Sequence, residues 1–439
     1  MRGVAKGGAQ RHVRCRLAET ARHGLMMPDR RPGLRIESVR QANLTSILGD
    51  LHLGGSASRS ELVARTGLTR SSVGALVGEL VRAGLAVEER ATSDGSPGRP
   101  SPVIRADALG NVVLALEVTV DVVAGAVVGL GGTVLARERL DRYGDRRAVA
   151  DTVGDVVALA QRLERIHGRP IDPLGVGVAA AGLVRRPENV VAIAPNLGWR
   201  EVPFGDLLAE ALPYTAPITL ANDADAAALA ETRRGVAVGV DDVVLVSGDV
   251  GVGGGLVSGG HSLIGRAGFA GEVGHMSVNP DGRRCRCGAR GCWETEVGEG
   301  SLLRRAGRSP DAGRRGVEAV LADADAGDAA ALAALADETR WLAIGLGGLV
   351  NVFNPQMVVF GGFFGRLYPY VIDGLRSELS HRALAATAAG LLLVPSALGP
   401  DGPLVGAAEL AFAPLLADPL GEHRRPSAAA ESAGDRADP

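Results

Sequence analysis

The chain has 439 residues, of which 46% are hydrophobic and 22% are charged, and its formal net charge is −3. This length predicts two or three domains, and the hydrophobic content is enough to bury substantial cores. No run of residues approaches the ~20 uninterrupted apolar positions of a membrane-spanning helix. These features exclude an integral membrane protein, and we expect a soluble cytoplasmic protein with no membrane partner.

The charge is distributed unevenly along the chain. Residues 1–105 contain 17 basic and 9 acidic side chains, whereas the remaining residues contain 30 basic and 41 acidic ones. A basic amino-terminal segment joined to an acidic body predicts binding of a polyanion at the amino-terminal end. Part of the positive charge belongs to residues 1–33, whose composition predicts a disordered basic extension.

Three helices are predicted after this extension. Apolar residues recur at helical spacing over positions 44–51 and predict the first helix. Ser58 and Glu61 form a Ser-x-x-Glu capping box that opens a second helix, which ends at Gly67. Thr69 then caps a third helix. Two helices joined by a glycine-containing turn indicate a helix-turn-helix.

A strand and a hairpin turn at Ser93-Asp94-Gly95 follow the third helix, so residues 34–105 are predicted to form a winged helix-turn-helix DNA-binding domain. In such domains the first residues of the last motif helix meet base edges in the major groove. Operator DNA is therefore a predicted partner. The alternative is a small helical interaction domain with ordinary surface arginines. The predicted DNA contacts are Thr69, Arg70, Ser71, Ser72 and Arg99.

Residues 108–416 are predicted to form an α/β body, because apolar strands alternate with amphipathic helices. Glycine-rich turns between two sets of strands indicate two lobes around a cleft, and no strong internal sequence repeat is visible. Residues 417–439 are predicted to be a flexible tail. The predicted strands are 112–118, 122–128, 175–180, 218–220, 243–246 and 357–360, and the predicted helices are 147–166, 224–235 and 329–352.

Three of the four cysteines lie within eight residues of one another, and a histidine precedes them by ten positions. Three thiolates and an imidazole are the donors that a tetrahedral zinc ion prefers, and four protein ligands leave no open position for chemistry. The sequence therefore predicts a structural zinc site. The alternative is a disulfide with a spare thiol, which suits closely spaced cysteines poorly. The predicted ligands are His275, Cys285, Cys287 and Cys292.

Polar residues gather around this cluster and at the end of one predicted strand. Carboxylates and amides that converge on one site can hydrogen-bond several hydroxyl groups, as a sugar pocket requires. Taken singly, each has another interpretation, such as a helix cap for Asn222-Asp223, a surface acid for Glu294 or a turn former for Asn196. The predicted sugar-binding residues are Asn196, Asn222, Asp223, Glu272, His275 and Glu294.

Together these motifs resemble the ROK family of repressors, open reading frames and sugar kinases, over residues from about 110 to 411. The resemblance implies a two-lobed actin-like ATPase fold related to ribonuclease H, and a sugar site formed by the six residues just named. The matching motifs are Asn196-Leu197-Gly198-Trp199, Asn222-Asp223, residues 251–255, residues 271–275, the CxCGxxGCxE block ending at Glu294, and Asn354-Pro355 with Gly361-Gly362.

The resemblance also indicates where the chain departs from the kinases of that family. Those kinases open with an Asp-x-Gly-Gly-Thr phosphate loop, and the corresponding stretch here is Glu117-Val118-Thr119-Val120-Asp121. Glycine lets a loop backbone approach phosphate closely, which the branched Thr119 and Val120 prevent. We therefore expect ATP and magnesium binding to be poor or absent. Asp223 matches the catalytic base of the kinases and would be catalytic only in a kinase.

The resulting hypothesis is a transcriptional regulator, most readily a repressor, that binds operator DNA as a homodimer or homotetramer. A sugar acting as inducer or corepressor would modulate it through the ROK domain, in carbohydrate metabolism. One alternative is a ROK sugar kinase that transfers phosphate from ATP to a hexose or amino sugar and carries an accessory DNA-binding head. Another is a passive dimerisation scaffold.

Overall fold

A computed structural model describes residues 36–89, 102–142, 148–248 and 251–421. The chain divides into a short unit, Met1–Asn43, and a large unit, Leu44–Pro439, and Ile36–Asn43 is the described part of the short one. Within these four ranges no helix is long and apolar enough to cross a membrane. The predicted extension at 1–33, Arg99, the hairpin turn at 93–95 and all of the predicted tail beyond residue 421 lie outside the described residues.

The amino-terminal elements form a winged helix-turn-helix, hereafter the winged module (described residues from Leu44 to Ala106). Ser58 and Glu61 form the predicted capping box, Gly67 ends α2 with a φ of 71°, and Thr69 caps α3. The strands form an antiparallel sheet in the order β1-β3-β2. The elements are α1 (Ile36–Gly54), β1 (Ala57–Ser58), α2 (Arg59–Thr66), α3 (Arg70–Arg82), β2 (Ala86–Glu89) and β3 (Val103–Ala106).

The first lobe of the body contains a five-stranded sheet in the order β11-β7-β4-β5-β6. β11, β7 and β4 are parallel, and β5 and β6 join them antiparallel. A small antiparallel sheet, β10-β9-β8, lies in the same part of the chain. The elements are β4 (Val112–Val118), β5 (Val122–Gly129), β6 (Thr133–Asp141), α4 (Val149–His167), β7 (Val176–Ala180), β8 (Leu183–Arg185), β9 (Val190–Ala194), β10 (Trp199–Val202), α5 (Phe204–Ala211), β11 (Ile218–Asn222) and α6 (Asp223–Arg234).

The second lobe repeats this arrangement. Its sheet order is β16-β15-β12-β13-β14, with β16, β15 and β12 parallel and the other two strands antiparallel. The duplication is therefore structural although no sequence repeat is visible. The elements are β12 (Val243–Gly248), β13 (Val252–Ser258), β14 (His261–Ser262), α7 (Trp293–Val297), α8 (Glu299–Arg305), α9 (Gly313–Asp325), α10 (Ala329–Phe353), β15 (Met357–Gly361), α11 (Gly362–Arg382), α12 (Ala385–Ala388) and β16 (Leu392–Pro395). The last helix, α13 (Gly402–Ala417), packs against β4 and β7 of the first lobe.

The winged module and the first lobe share one hydrophobic core. Ile47 and Leu51 of α1 belong to the same buried cluster as Ala411, Phe412 and Leu415 of α13. Burial of apolar surface is the main favourable term in such packing. The winged module is thus packed against the body and is not held by a linker alone.

The glycine-rich residues 251–255, one of the motifs that match the family, lie mostly in strand β13. A Cβ at Gly255 would lie 2.4 Å from the carbonyl oxygen of Ala224, and one at Gly253 would lie 3.0 Å from the Ala224 Cβ. These glycines allow helix α6 to pack directly against the sheet. They fix the position of the helix that begins at Asp223.

Replacing Gly255 by alanine is expected to destabilise the protein by about 1–3 kcal/mol, the usual cost of overpacking. The new methyl group would meet a backbone oxygen that cannot rotate away. Urea unfolding measures the effect. Gly49→Ala is the matched control, because nothing lies within 4 Å of a Cβ at that position of α1. The control should be neutral or more stable by up to about 1 kcal/mol, and equal losses in both variants would contradict the packing role.

Candidate metal and ligand site

One histidine and three cysteines meet in the loop between β14 and α7. The donor atoms of His275, Cys285, Cys287 and Cys292 all lie within 4.8 Å of one another. The Cys285 Sγ is 3.7 Å from the His275 Nδ1, and the Cys287 and Cys292 sulfurs are 3.6 Å apart. The structure therefore brings together all four residues predicted from the sequence.

Tight backbone turns hold the cysteines in place. The Cys285 N–H donates to the Ala289 carbonyl at 2.8 Å, and Gly288 between them has a φ of 103°, which glycine adopts without strain. Gly291 has a φ of 65°, and a Cβ there would lie 1.5 Å from the Asn279 carbonyl oxygen. The glycines of this block are thus required by the loop geometry that positions the sulfurs.

The donor set fits a tetrahedral metal ion. Metal–ligand bonds of about 2.0–2.3 Å place neighbouring ligand atoms roughly 3.3–3.8 Å apart, and the two separations of 3.6 and 3.7 Å fall in this interval. A disulfide needs sulfurs about 2.05 Å apart, and these three cysteines are free thiols. The cluster can therefore hold a metal ion.

The thiols differ in acidity. Burial raises the pKa of Cys285 and Cys292 above the ordinary thiol value. Burial opposes ionisation of Cys287 too, but the backbone N–H of Ala289 and the neighbouring thiols lower the pKa of Cys287. Because only the thiolate binds a metal ion, loading this cluster releases protons and becomes weaker as the pH falls.

Glu272, His275 and Glu294 lie beside the metal cluster. The His275 Nε2 is 3.8 Å from the Glu272 Oε2, and its Nδ1 is 3.8 Å from the Glu294 Oε1. The Cys285 thiol donates a hydrogen bond of 2.8 Å to the Glu294 Oε1. Burial raises the pKa of Glu272, and the Glu294 charge adds to this while His275 opposes it. The metal loop therefore also positions these two carboxylates.

Asn222 and Asp223 lie where strand β11 passes into helix α6. The Asn222 Oδ1 accepts hydrogen bonds from the backbone N–H groups of Ala224 and Asp225, at 2.8 and 3.2 Å, and its Nδ2 donates to the Gly182 carbonyl at 3.0 Å. Asn222 thus caps the helix, as one of its two interpretations expected. Asp223 is half-buried, and partial burial together with the Glu272 charge raises the pKa of Asp223 to about 6.

Asn196 reaches the same place from the loop between β9 and β10. A Cβ on Gly251 would lie 2.9 Å from the Glu294 Oε2 and 3.9 Å from the Asn196 Nδ2, so both side chains face that glycine. The Arg286 guanidinium of the metal loop donates a hydrogen bond to the Asn196 Oδ1. An amide of the first lobe and a carboxylate of the second therefore face the position of Gly251, and such groups can hydrogen-bond the hydroxyls of a ligand.

Two charged residues near this site were not found by sequence analysis. Asp225 follows Asp223 in the first turn of α6, and burial together with nearby acids raises its pKa to about 7 while Arg186 opposes the shift. Burial in turn lowers the pKa of Arg186. An aspartate in a first helical turn is common on electrostatic grounds alone, so the sequence carried no signal for this pair.

The segment that corresponds to a kinase phosphate loop is the turn between β4 and β5. Glu117 is buried at the end of β4, and the Thr119 N–H donates to the Val122 carbonyl at 2.9 Å, closing a tight reversal. Gly362 also has a structural explanation, because its φ is 56° and a Cβ there would lie 2.0 Å from the Gly248 carbonyl oxygen. The fold therefore explains both Gly362 and the β4–β5 turn without a bound nucleotide.

The predicted DNA-contacting residues lie at the start of helix α3. The Thr69 Oγ1 accepts from the Ser72 N–H at 3.2 Å and is 2.9 Å from the hydroxyls of both Ser71 and Ser72. Thr69, Arg70 and Ser71 are exposed and Ser72 is half-buried. The helix therefore presents a cation and hydroxyl groups at its amino terminus, where phosphate groups also bind favourably.

Comparison with known proteins relates the whole arrangement to one family. The family model described as the ROK family matches residues 113–413. The chain is 29% identical over 371 residues to a xylose repressor of Bacillus subtilis, covering 84% of this chain and 94% of the repressor.

Two solved structures add the fold comparison. A ROK family transcriptional regulator, described as a homologue of the E. coli MLC protein, has a TM-score of 0.70 at 26% identity and covers 84% of this chain and 95% of its own. A ROK family glucokinase from Streptomyces griseus, solved with glucose and AMPPNP, has a TM-score of 0.61 at 29% identity and covers 69% and 99%. The regulator thus matches more of the chain than the glucokinase does.

Proposed function

Because the chain belongs to the ROK family, we propose that it is a sugar-responsive transcriptional repressor. The observation that carries this proposal is the winged module joined to a two-lobed body, an architecture over which the chain resembles a xylose repressor and a ROK regulator for 84% of its length. A sugar is the effector, and operator DNA is the target. The protein acts as a homodimer or homotetramer, since symmetric regulators read paired half-sites.

The metal of this proposal is a structural zinc ion. His275, Cys285, Cys287 and Cys292 would hold it, and their thiol and imidazole donors support zinc over calcium or magnesium, which prefer oxygen. The ion supplies a rigid anchor for the loop. When the loop is fixed, Glu272 and Glu294 keep their positions beside His275 and can accept hydrogen bonds from sugar hydroxyls.

The sugar lies between the lobes in this proposal, in contact with Asn196, Asp223, Glu272, His275 and Glu294. In its ionised form Asp223 accepts a hydrogen bond from a sugar hydroxyl. Burial raises its pKa only to about 6, so Asp223 is still mostly ionised at neutral pH. Asn222 contributes chiefly by capping α6 and holding Asp223 at its amino terminus. Because α6 packs directly against β13, the Asp223 carboxylate is held in place before the sugar binds, and little conformational entropy is lost on binding.

We propose that the body does not transfer phosphate. The β4–β5 turn carries Thr119 and Val120 where a phosphate needs bare backbone, and Glu117 is already buried within the strand. Positioning of the transferred phosphate provides most of the catalysis in such reactions. Asp223 is then a hydrogen-bond acceptor and not a catalytic base.

The second candidate function is a sugar kinase, and the similarity to a Streptomyces griseus glucokinase favours it. A half-buried aspartate with a pKa of about 6 is a competent general base. Incubating the purified protein with ATP, magnesium and a panel of hexoses, pentoses and amino sugars separates the two. We expect no sugar phosphate by mass spectrometry. A product that disappears in Asp223→Asn would establish the kinase instead.

Replacing Arg70 by alanine is expected to weaken operator binding by about 5- to 150-fold, since one arginine–guanine contact contributes roughly 1–3 kcal/mol. The DNA is obtained by selection from a random pool, and binding is measured by fluorescence anisotropy. Arg82→Ala is the matched control, because Arg82 is an exposed arginine in the last turn of the same helix. Equal affinities for the Arg70 and Arg82 variants would contradict the assignment of α3 as the recognition helix.

A further inference from the structure

A buried cluster of charged and polar groups connects the winged module to the body. His52 of α1 is fully buried, and its ring meets the Phe412 ring of α13 edge-on, with centroids 5.0 Å apart. Glu409, one turn before Phe412, approaches the His52 Nε2 with both carboxylate oxygens, at 3.1 and 3.2 Å. The Arg234 Nε donates to the same carboxylate at 2.5 Å. Three elements that are distant in sequence therefore meet at one carboxylate.

The hydrogen-bond pattern determines which ring nitrogen of His52 carries hydrogen. The Gly131 backbone N–H donates to the His52 Nδ1 at 3.0 Å, so that nitrogen is an acceptor. A ring that accepts at Nδ1 donates from Nε2, and the Nε2 donates to Glu409. His52 thus joins the turn between β5 and β6 to helix α13.

Arg234 completes the cluster and depends on Glu409. Its Nη1 donates to the Gly131 carbonyl and its Nη2 to the His52 carbonyl, each at 3.2 Å. The Nη2 also lies 2.8 Å from the His52 Nε2. The Arg234 Nη2 and the His52 Nε2 are both hydrogen-bond donors, so their close approach is unfavourable. The negative charge of Glu409, which both side chains contact, offsets this cost. The cluster is therefore held by the charge of Glu409 and not only by packing.

The surrounding backbone is shaped for this cluster. Gly132 has a φ of +86°, and a Cβ there would lie 2.5 Å from the Arg234 Cζ. Burial opposes ionisation of Glu409, but the hydrogen bond from His52 and the charge and hydrogen bond of Arg234 lower its pKa below the ordinary value. A glycine turn that leaves room for the Arg234 guanidinium, together with a buried acid held in its ionised form, indicates a specific polar contact and not incidental packing.

Helix α6 leads from this cluster to the ligand site. It begins at Asp223 and ends at Arg234, and its 12 residues span about 18 Å. Between these ends it is in backbone contact with α13, because a Cβ on Gly406 would lie 1.9 Å from the Ala226 carbonyl oxygen. A displacement of the Asp223 end therefore moves the Arg234 end, since the helix is rigid and closely packed.

We propose that Arg234, Glu409 and His52 are positioning residues that transmit sugar occupancy to the winged module, an inference that rests on the proposed repressor function. The sugar biases the position of Asp223, helix α6 carries the change to Arg234, and the Glu409–His52 contact turns α1. The coupling is reciprocal, so DNA and sugar each change the affinity for the other by the same factor.

The test compares DNA affinity with and without a saturating sugar in the full-length, metal-loaded protein. The sugar is identified first in the wild type by thermal shift against a sugar library, and the DNA is selected from a random pool. The wild-type ratio of the two affinities is expected to exceed about 10-fold. In Glu409→Gln the ratio should fall to below 2-fold, while sugar affinity measured by calorimetry stays within 3-fold of wild type.

Two further variants keep the outcome interpretable. Arg234→Met combined with Glu409→Gln removes both charges together and leaves no buried charge without a partner, so this double variant should fold. Its ratio of DNA affinities with and without sugar should also fall to below 2-fold. Asp401→Asn is the matched control, because it breaks an exposed ion pair with Arg137 just before α13 and should keep the wild-type ratio. If these residues only stabilised the fold, Glu409→Gln and the double variant would be less stable but would keep the wild-type ratio of DNA affinities.

Two outcomes would overturn the proposal, and they are distinguishable. A wild-type ratio near 1 for every sugar that binds rejects the proposed function and the coupling with it. A wild-type ratio above 10 that persists in both charge-removing variants rejects the coupling alone and leaves the repressor function standing.

Discussion

Replacing Cys292 by serine is expected to lower metal affinity by more than about 100-fold, since loss of even an outer-sphere contact in such sites costs 10- to 100-fold. Cys292 is fully buried, and its backbone bridges Ser277 next to His275. Without the ion, the three-thiol loop loses the bonds that hold it closed. Sugar affinity should fall at least 10-fold as well, because the same loop carries Glu272 and leads directly into Glu294 in the first turn of α7.

Metal content by elemental mass spectrometry and sugar affinity by calorimetry measure the two parts of this prediction. Cys15→Ser is the matched control, because Cys15 is the only cysteine of the sequence outside the cluster. The control should retain one zinc ion for each chain and full sugar affinity. Wild-type protein prepared without chelators that contains no metal would contradict the assignment, and so would a Cys292 variant with undiminished sugar binding.

The second large effect is expected for Asp223→Asn, which should weaken sugar binding by about 10- to 100-fold. A hydrogen bond to a charged partner contributes about 1.5–3 kcal/mol, and the amide cannot accept from a hydroxyl as strongly as the carboxylate does. Calorimetry at pH 8 measures the loss. Glu318→Gln is the matched control, since Glu318 is exposed and forms a surface ion pair with Arg314 on its own helix. An undiminished affinity in Asp223→Asn would remove that residue from the site.

The same residue predicts a pH dependence. With a pKa of about 6, Asp223 is ionised at pH 8 and largely protonated at pH 5, so wild-type sugar affinity should fall as the pH is lowered. Because its folded-state pKa is raised, its contribution to stability has the opposite sign: it is fully present below the ordinary value of 3.8 and is lost as the pH rises through about 6. In Asp223→Asn the part of each pH dependence that comes from this residue should disappear. A wild-type affinity that is flat between pH 5 and 8 would contradict this assignment.

The parts of the fold that were predicted well from the sequence are those with local causes. Ser58, Thr69 and Asn222 cap helices within four residues of their own position, so their capping is visible in the sequence. The ranges predicted for β4 and α10, 112–118 and 329–352, match the observed bounds to within one residue. The metal ligands were found for the same reason, because they lie within 18 residues of one another.

The parts that were missed depend on distant contacts. Helix α13 is apolar on nearly every side and has no polar stripe, so its periodicity gave no signal. The reason for the glycines of β13 is not visible locally, because helix α6, which packs against them, lies about 30 residues away in the sequence. In the sequence His52 is an ordinary helical residue, because its partner Glu409 lies 357 positions later. Only the fold brings the Glu409 Oε2 to within 3.1 Å of the His52 Nε2.

The duplicated body explains how a sugar site and a DNA-binding module come to be connected. Helices α6 and α13 pack against each other and against the first sheet, and α6 also packs against the second sheet through Gly253 and Gly255. A closure of the lobes must therefore act on these two helices. Arg234 at the end of α6 and Glu409 in the middle of α13 both contact His52 of the winged module.

The central claim is that sugar binding alone, without ATP, changes how tightly this protein holds DNA. The most direct measurement titrates selected DNA with the metal-loaded protein at fixed salt, in the presence and absence of each sugar found by thermal shift, and with no nucleotide present. We predict that at least one sugar changes the DNA dissociation constant by more than about 10-fold, within the usual range of allosteric coupling. A sugar that binds tightly, leaves DNA affinity unchanged and is phosphorylated when ATP is added would contradict the account.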